Sequence, residues 1–210
     1  MEHTHDEHVT GAIESLPHHP HLEVAKKDSN DIIEIVRMLL IALAIVIPIR
    51  AFIAQPFKVS GASMVPTFHD REYLIVDEIS YRFNEPKRGD VIIFHPPQDP
   101  STYYIKRIIG LPVETVKIDG PNVLITNKEN PEGILLTEPY ISARTNNNLT
   151  SVLGTDEYFV MGDNRPYSSD SRTWGKLPKK NIVGKTFLRL YPFNEISAFP
   201  GIYHAYETVN

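Results

Sequence analysis

Three short stretches of this chain hold side chains that can do covalent or acid–base chemistry. In Val59-Ser60-Gly61-Ala62-Ser63-Met64-Val65-Pro66-Thr67 a serine stands between a glycine and Pro-Thr. A constrained turn of that kind can leave backbone N–H groups free to face a substrate; it can equally be ordinary turn chemistry. In residues 103–112, YYIKRIIGLP, strand alternation puts Lys106 on one face with Tyr104 and Ile108. A lysine among large apolar side chains is costly unless it sheds its charge or finds a partner, and a desolvated amine serves as a general base near neutral pH. The alternative is that Lys106 faces solvent and Arg107 faces inward, or that both snorkel. Residues 161–172, MGDNRPYSSDSR, are dense in ionic and hydrogen-bonding groups. Asp163, Asp170, Arg165 and Arg172 can pair there, and Ser168 and Ser171 can orient a neighbour. The two aspartates come with two arginines and no further ligands nearby, so no metal is expected.

The elements that must position these groups divide the 210 residues into three parts. Residues 1–30 read as a polar, disordered tail holding six of the nine histidines, among them His3, His18 and His21. Residues 31–54 form the one long apolar stretch, with Glu34, Arg37 and Arg50 near its ends. As a helix, the 23 residues 32–54 are about 34 Å long, enough to cross a bilayer. Asp31 and Glu34 suggest a capped start and Pro48 a kink or late break. The apolar run begins too late for a cleaved leader, and no Ala-x-Ala follows it. Lysines and arginines flank it almost equally, so charge alone does not orient it. Residues 55–210 read as a β-rich domain of short β-branched and aromatic runs, from YLIVDEISYRF through DVIIF and EYFVMGD to GKTFLRLYPF. Asp119-Gly120 marks a hairpin, and SARTNNNLTS at 142–151 reads as a polar loop. The fold expected is mainly β: a single N-terminal transmembrane helix, then an all-β domain.

Composition excludes several chemistries. With no cysteine there is no disulfide framework, no thiolate nucleophile and no thiolate-held zinc or iron–sulfur cluster. The net charge of −5 gives no basic surplus for nucleic acid, and all of it resides in residues 1–31. Only His69, His95 and His204 lie beyond the tail.

Four strings, SGASMVPT, RGDVIIF, YIKRIIGLP and MGDNRPYSSDSR, follow the apolar segment in that order. Together with LIVD at 74–77 and Glu138-Pro139-Tyr140, they resemble the type I bacterial signal peptidases over residues 30–195. The resemblance implies a partly barrel-like catalytic domain and a membrane-bound serine endopeptidase without cofactor. Such an enzyme removes signal peptides from exported preproteins after small-x-small sites. It implies Ser63 as nucleophile and Lys106 as general base, through an acyl-enzyme. Ser168 would orient the lysine, Asp170 and Arg172 would form an ion pair behind it, and Asp163 and Arg165 would support the loop. Val59, Met64, Tyr104 and Ile105 flank the dyad as candidates for the substrate pocket. The partners implied are preproteins and the lipid bilayer, with the tail cytoplasmic and the catalytic domain outside the cytoplasm. Phe52, Phe57 and Phe68 are candidates for an apolar surface beside the membrane.

The chain departs from the family pattern at several points. Gly61 stands where many relatives carry a serine that completes the oxyanion hole, and Ser60 is one place too early to inherit that role. The family's G-L-P-G-D is Gly110-Leu111-Pro112-Val113-Glu114 here, which suggests that the turn needs no glycine conformation. Two other readings stand beside the peptidase. One is a non-catalytic, membrane-tethered relative that binds preproteins or assists surface assembly. The other is a self-cleaving repressor protease with the same dyad, which would need a DNA-binding segment in place of the apolar one.

Overall fold

The structure, a computed structural model, describes residues 29–48 and 54–203. The tail expected to be disordered therefore lies outside the described residues, as do residues 49–53. The helix α1 runs Ser29–Pro48, and its apolar side chains, such as Ile33, Met38 and Ile47, are exposed. Among the described residues no helix is long and apolar enough to cross a membrane. The expected 31–54 anchor includes residues 49–53, which lie outside the described residues; its described part is α1 up to Pro48, and Ala54 opens a strand.

Twelve strands follow: β1 (Ala54–Lys58), β2 (Tyr73–Asp77), β3 (Val91–Phe94), β4 (Tyr104–Gly110), β5 (Thr115–Gly120) and β6 (Asn122–Thr126), then β7 (Ile134–Leu135), β8 (Asn147–Val152), β9 (Glu157–Met161), β10 (Leu177–Pro178), β11 (Ile182–Tyr191) and β12 (Ser197–Ala198). The larger sheet has the order β1-β2-β11-β3-β4-β9-β10, with β12 paired to β11. The smaller has the order β7-β6-β5-β8. Every pairing is antiparallel.

Side-chain alternation explains the layers. In β3, Ile92 and Phe94 join Ile108, Tyr158 and Val160 in one cluster, while Val91 and Ile93 join Met64, Phe68, Leu74 and Ile105 in another. With apolar layers on both faces, β3 reads as an unbroken apolar run. The hairpin β5–β6 turns at Gly120, whose φ is +59°, and Pro121, and buries Val116, Ile118, Val123 and Ile125.

Two local expectations change. YLIVDEISYRF divides into β2 and a short helix, α2 (Ser80–Phe83), because the Asp77 carboxylate accepts from the Ile79 and Ser80 N–H groups at 3.0 and 2.9 Å and stops the strand. Half of the expected loop 142–151 is strand β8, at the edge of the smaller sheet. An edge strand exposes its outer face and needs few apolar residues, which is why NNLTSV has no apolar alternation to read.

Candidate active site

The turn between β1 and β2 carries Ser63. Its base is closed by Val59 N–H to Glu72 O (2.8 Å) and Arg71 N–H to Val59 O (2.9 Å). Its tip is a tight turn, with Val65 N–H on Ala62 O and Phe68 N–H on Met64 O. Met64 and Phe68 are fully buried and pin the turn to the core. Gly61, at φ +88°, donates its N–H to Asp70 at 2.9 Å, so that group is already engaged. From the other side the 161–172 loop holds the turn: Asn164 donates N–H to Ser63 O (3.0 Å) and Nδ2 to Ala62 O (2.9 Å). Gly162 packs so closely that a Cβ there would collide with the Ser63 carbonyl and with Ser168.

Lys106 reaches Ser63 from β4. Its Nζ lies 2.7 Å from Ser63 Oγ and 2.9 Å from the Ile105 carbonyl, and the residue is only 4% exposed. Burial lowers its pKa from 10.5 to about 8; the carboxylates of Asp170 and Asp163 pull the other way without cancelling that effect. Among the described residues Lys106 makes no ion pair; Asp163 and Asp170 are paired with Arg107 and Arg172. It lies 5.3 Å from the centre of the Tyr104 ring.

The other expected site residues fall into three groups. Val59, Tyr104 and Ile105 line a cleft of about 420 Å³ that also opens onto Ser60, Ser63 and Lys106. Met64 does not line it, since its side chain points into the core cluster with Phe68 and Leu74. Phe57 lines the cleft in edge contact with Tyr103, Phe68 has no exposed surface to offer a membrane, and Phe52 lies outside the described residues. Ser168 makes no hydrogen bond to Lys106; its hydroxyl is buried without a partner, and the Ile105 carbonyl accepts from Nζ instead.

Of the loop's charges, Asp170 and Arg172 pair with each other at 2.7 and 2.8 Å, and Asp170 also takes the Gly162 N–H. Asp163 instead binds Arg107 of β4 through both oxygens (2.9 and 2.6 Å) and accepts from Thr67 Oγ1 at 2.5 Å. Arg165 pairs with buried Glu138. Thr67, Asn164, Glu138 and Arg107 are thus site supports that local spacing did not assign. Glu138 stood in a string already singled out, but its partner lies 27 residues away. Among the described residues no group of carboxylates and histidines is placed to hold a metal.

A serine hydroxyl against a buried amine of lowered pKa, beside an apolar cleft, is an arrangement suited to acyl transfer. Residues 32–191 match the family described as signal peptidase, peptidase S26. The chain belongs to this family. It is 36% identical to signal peptidase I of Leptolyngbya laminosa over 187 residues, 86% of this chain and 89% of that one. It is 37% identical to signal peptidase I S of Bacillus subtilis over 186 residues, 82% and 95% of the two chains. A crystal structure of a signal peptidase I from Enterococcus faecalis, 32% identical, covers 49% of this chain and 97% of that one at a TM-score of 0.41, too low to argue from. The protein is therefore a peptidase that removes signal peptides.

The turn at Val113 corrects one inference from the sequence. Val113 has φ +62°, the left-handed conformation that glycine adopts freely and a β-branched residue does not. The turn requires that conformation, and this chain makes it with an exposed valine.

Proposed function

We propose that this peptidase is a membrane-attached Ser/Lys endopeptidase that cuts preproteins after small-x-small sites. The observation that carries the mechanism is the 2.7 Å contact between Ser63 Oγ and a buried Lys106 whose pKa is lowered to about 8. Neutral Lys106 takes the Ser63 hydroxyl proton as Oγ attacks the scissile carbonyl. The C–N bond breaks, the ammonium returns its proton to the leaving amine, and the acyl group stays on Ser63. Lys106 then takes a proton from water, which attacks the ester and frees Ser63. The Ser63 backbone N–H is the donor for the oxyanion. Ser168, with an unpartnered buried hydroxyl, orients the lysine as its charge changes; Asp170 with Arg172, and Asp163 and Arg165 with their partners, hold the loop.

The cleft is walled by Val59, Tyr104 and Ile105, a lining suited to small apolar side chains on the substrate. The exposed apolar side chains of α1 favour attachment to a bilayer, with the tail cytoplasmic and the β domain on the far side. Sharing a surface with a signal peptide confines the encounter and raises effective concentration.

The test is cleavage of a detergent-solubilised peptide bearing an Ala-x-Ala site. The wild type should cleave it, and Ser63→Ala and Lys106→Ala should each lose at least about 10³-fold in kcat, comparable to losing a dyad member elsewhere. Full activity in either variant refutes the dyad. Binding without turnover by the wild type would instead favour the non-catalytic relative.

A further inference from the structure

We propose that Arg189 is a positioning residue for Ser63, acting through the carbonyl of Thr67. The inference rests on the Ser63–Lys106 reading. Arg189 lies on β11, far from both nucleophile and base in sequence, and is 12% exposed. Its Nη2 donates to Thr67 O at 2.5 Å, its Nε lies 3.1 Å from the Glu72 carboxylate, and its Nη1 meets Glu195 at 2.8 Å. The guanidinium carbon is 5.0 Å from the centre of the Phe68 ring. Three of these four partners, Thr67, Phe68 and Glu72, belong to the turn that carries Ser63.

Thr67 is held on two sides. Its carbonyl is held by Arg189, and its hydroxyl donates to Asp163, which is clamped by Arg107. A continuous polar chain therefore runs from β11 through Thr67 and Asp163 to Arg107, the residue next to Lys106. Its Thr67 link sits four residues after Ser63, and its Arg107 end one residue after Lys106. Met64 and Phe68 fix the depth of the turn by packing, but packing alone lets a turn slide along the core. A directional bond to Thr67 O opposes that slide. Displacement of a reacting atom by about 1 Å costs on the order of 10²-fold in rate.

The competing role is purely structural: Glu72 is 2% exposed and Arg189 is its counter-ion. The two roles separate experimentally. Arg189→Gln should lower kcat about 10- to 100-fold with KM unchanged, because Arg189 does not itself line the cleft. Arg189→Lys, which keeps a donor and the charge, should recover kcat to within about tenfold of wild type. The double variant Glu72→Gln/Arg189→Gln removes the orphaned carboxylate. It should regain melting temperature relative to Arg189→Gln yet keep the kcat defect.

All variants are assayed with the Ala-x-Ala peptide well below their melting temperatures. A kcat in Arg189→Gln near wild type, or its return in the double variant together with stability, overturns the proposal. A wild type that does not cleave overturns the dyad reading itself, and this inference with it. A wild type that cleaves, with Ser63→Ala inactive and Arg189→Gln fully active, overturns only the role of Arg189.

Discussion

Lys106 and Arg107 are neighbours on β4, both buried, and meet opposite fates. Around Arg107 the molecule assembles a full set of partners: both oxygens of Asp163, the carbonyls of Gly89 and Gly201, and the Tyr140 ring 4.0 Å below the guanidinium. Around Lys106 it supplies one hydroxyl and one carbonyl and keeps the nearest carboxylates paired with arginines. A charge that is buried and matched is held; a buried amine without a matching carboxylate gives up its proton more readily, at about pH 8 for Lys106. Arginine suits the first role because its guanidinium does not deprotonate, and lysine the second because its amine does. One strand thus places a permanent cation beside an amine whose charge can switch.

The sharpest way to break this contrast is to remove the match. Asp163→Ala leaves Arg107 buried without its carboxylate, and stability to urea should fall by about 3–5 kcal/mol. A loss below about 1 kcal/mol would mean that the carbonyls and Tyr140 suffice.

The second prediction removes the mismatch. Lys106 has a lowered pKa in the folded state, so unfolding takes up a proton between pH 8 and 10.5. The wild type therefore gains stability as pH rises through that window and carries the full burden below it. Lys106→Met, inactive, should be up to about 3 kcal/mol more stable than wild type at pH 7, with the gain vanishing toward pH 10.5. Equal stabilities at pH 7 would show that the lysine is not stripped of its hydration.

The same shift predicts the rate. kcat/KM should climb about tenfold per pH unit below 8 and level off above it; a profile already flat from pH 6 contradicts a lysine base. Smallest is the effect at Val113. Val113→Gly relieves about 1–2 kcal/mol of left-handed strain against about 0.5–1 kcal/mol of added chain entropy. Thermal unfolding should show a net gain of roughly 0.5–1 kcal/mol with no change in cleavage, since Val113 does not line the cleft.

What could be read ahead of the structure depended on sequence distance. Ser63 in its Gly/Pro-rich turn, Lys106 on an apolar strand face and the β5–β6 hairpin are local patterns. So is Asp170 with Arg172, two residues apart. The other ion pairs were not legible. Asp163 and Arg165 stand beside each other's charges in the chain, yet each pairs across the fold, over 56 and 27 residues, because strand register brings Arg107 and Glu138 closer. β8 was hidden because an edge strand need not alternate. Val113 misled for a different reason: a substitution that looks like relaxed demand is a position where the chain tolerates strain.

The bond from Arg107 to the carbonyl of Gly201 has a consequence for how the enzyme is born. Gly201 also packs so tightly on Thr67 and Phe68 that a side chain there would collide with them. The segment that finishes the surroundings of the Ser63 turn is therefore made well after the turn itself. A nascent chain carries Ser63 and Lys106 before it has β11, Arg189 and Gly201 to hold them in register.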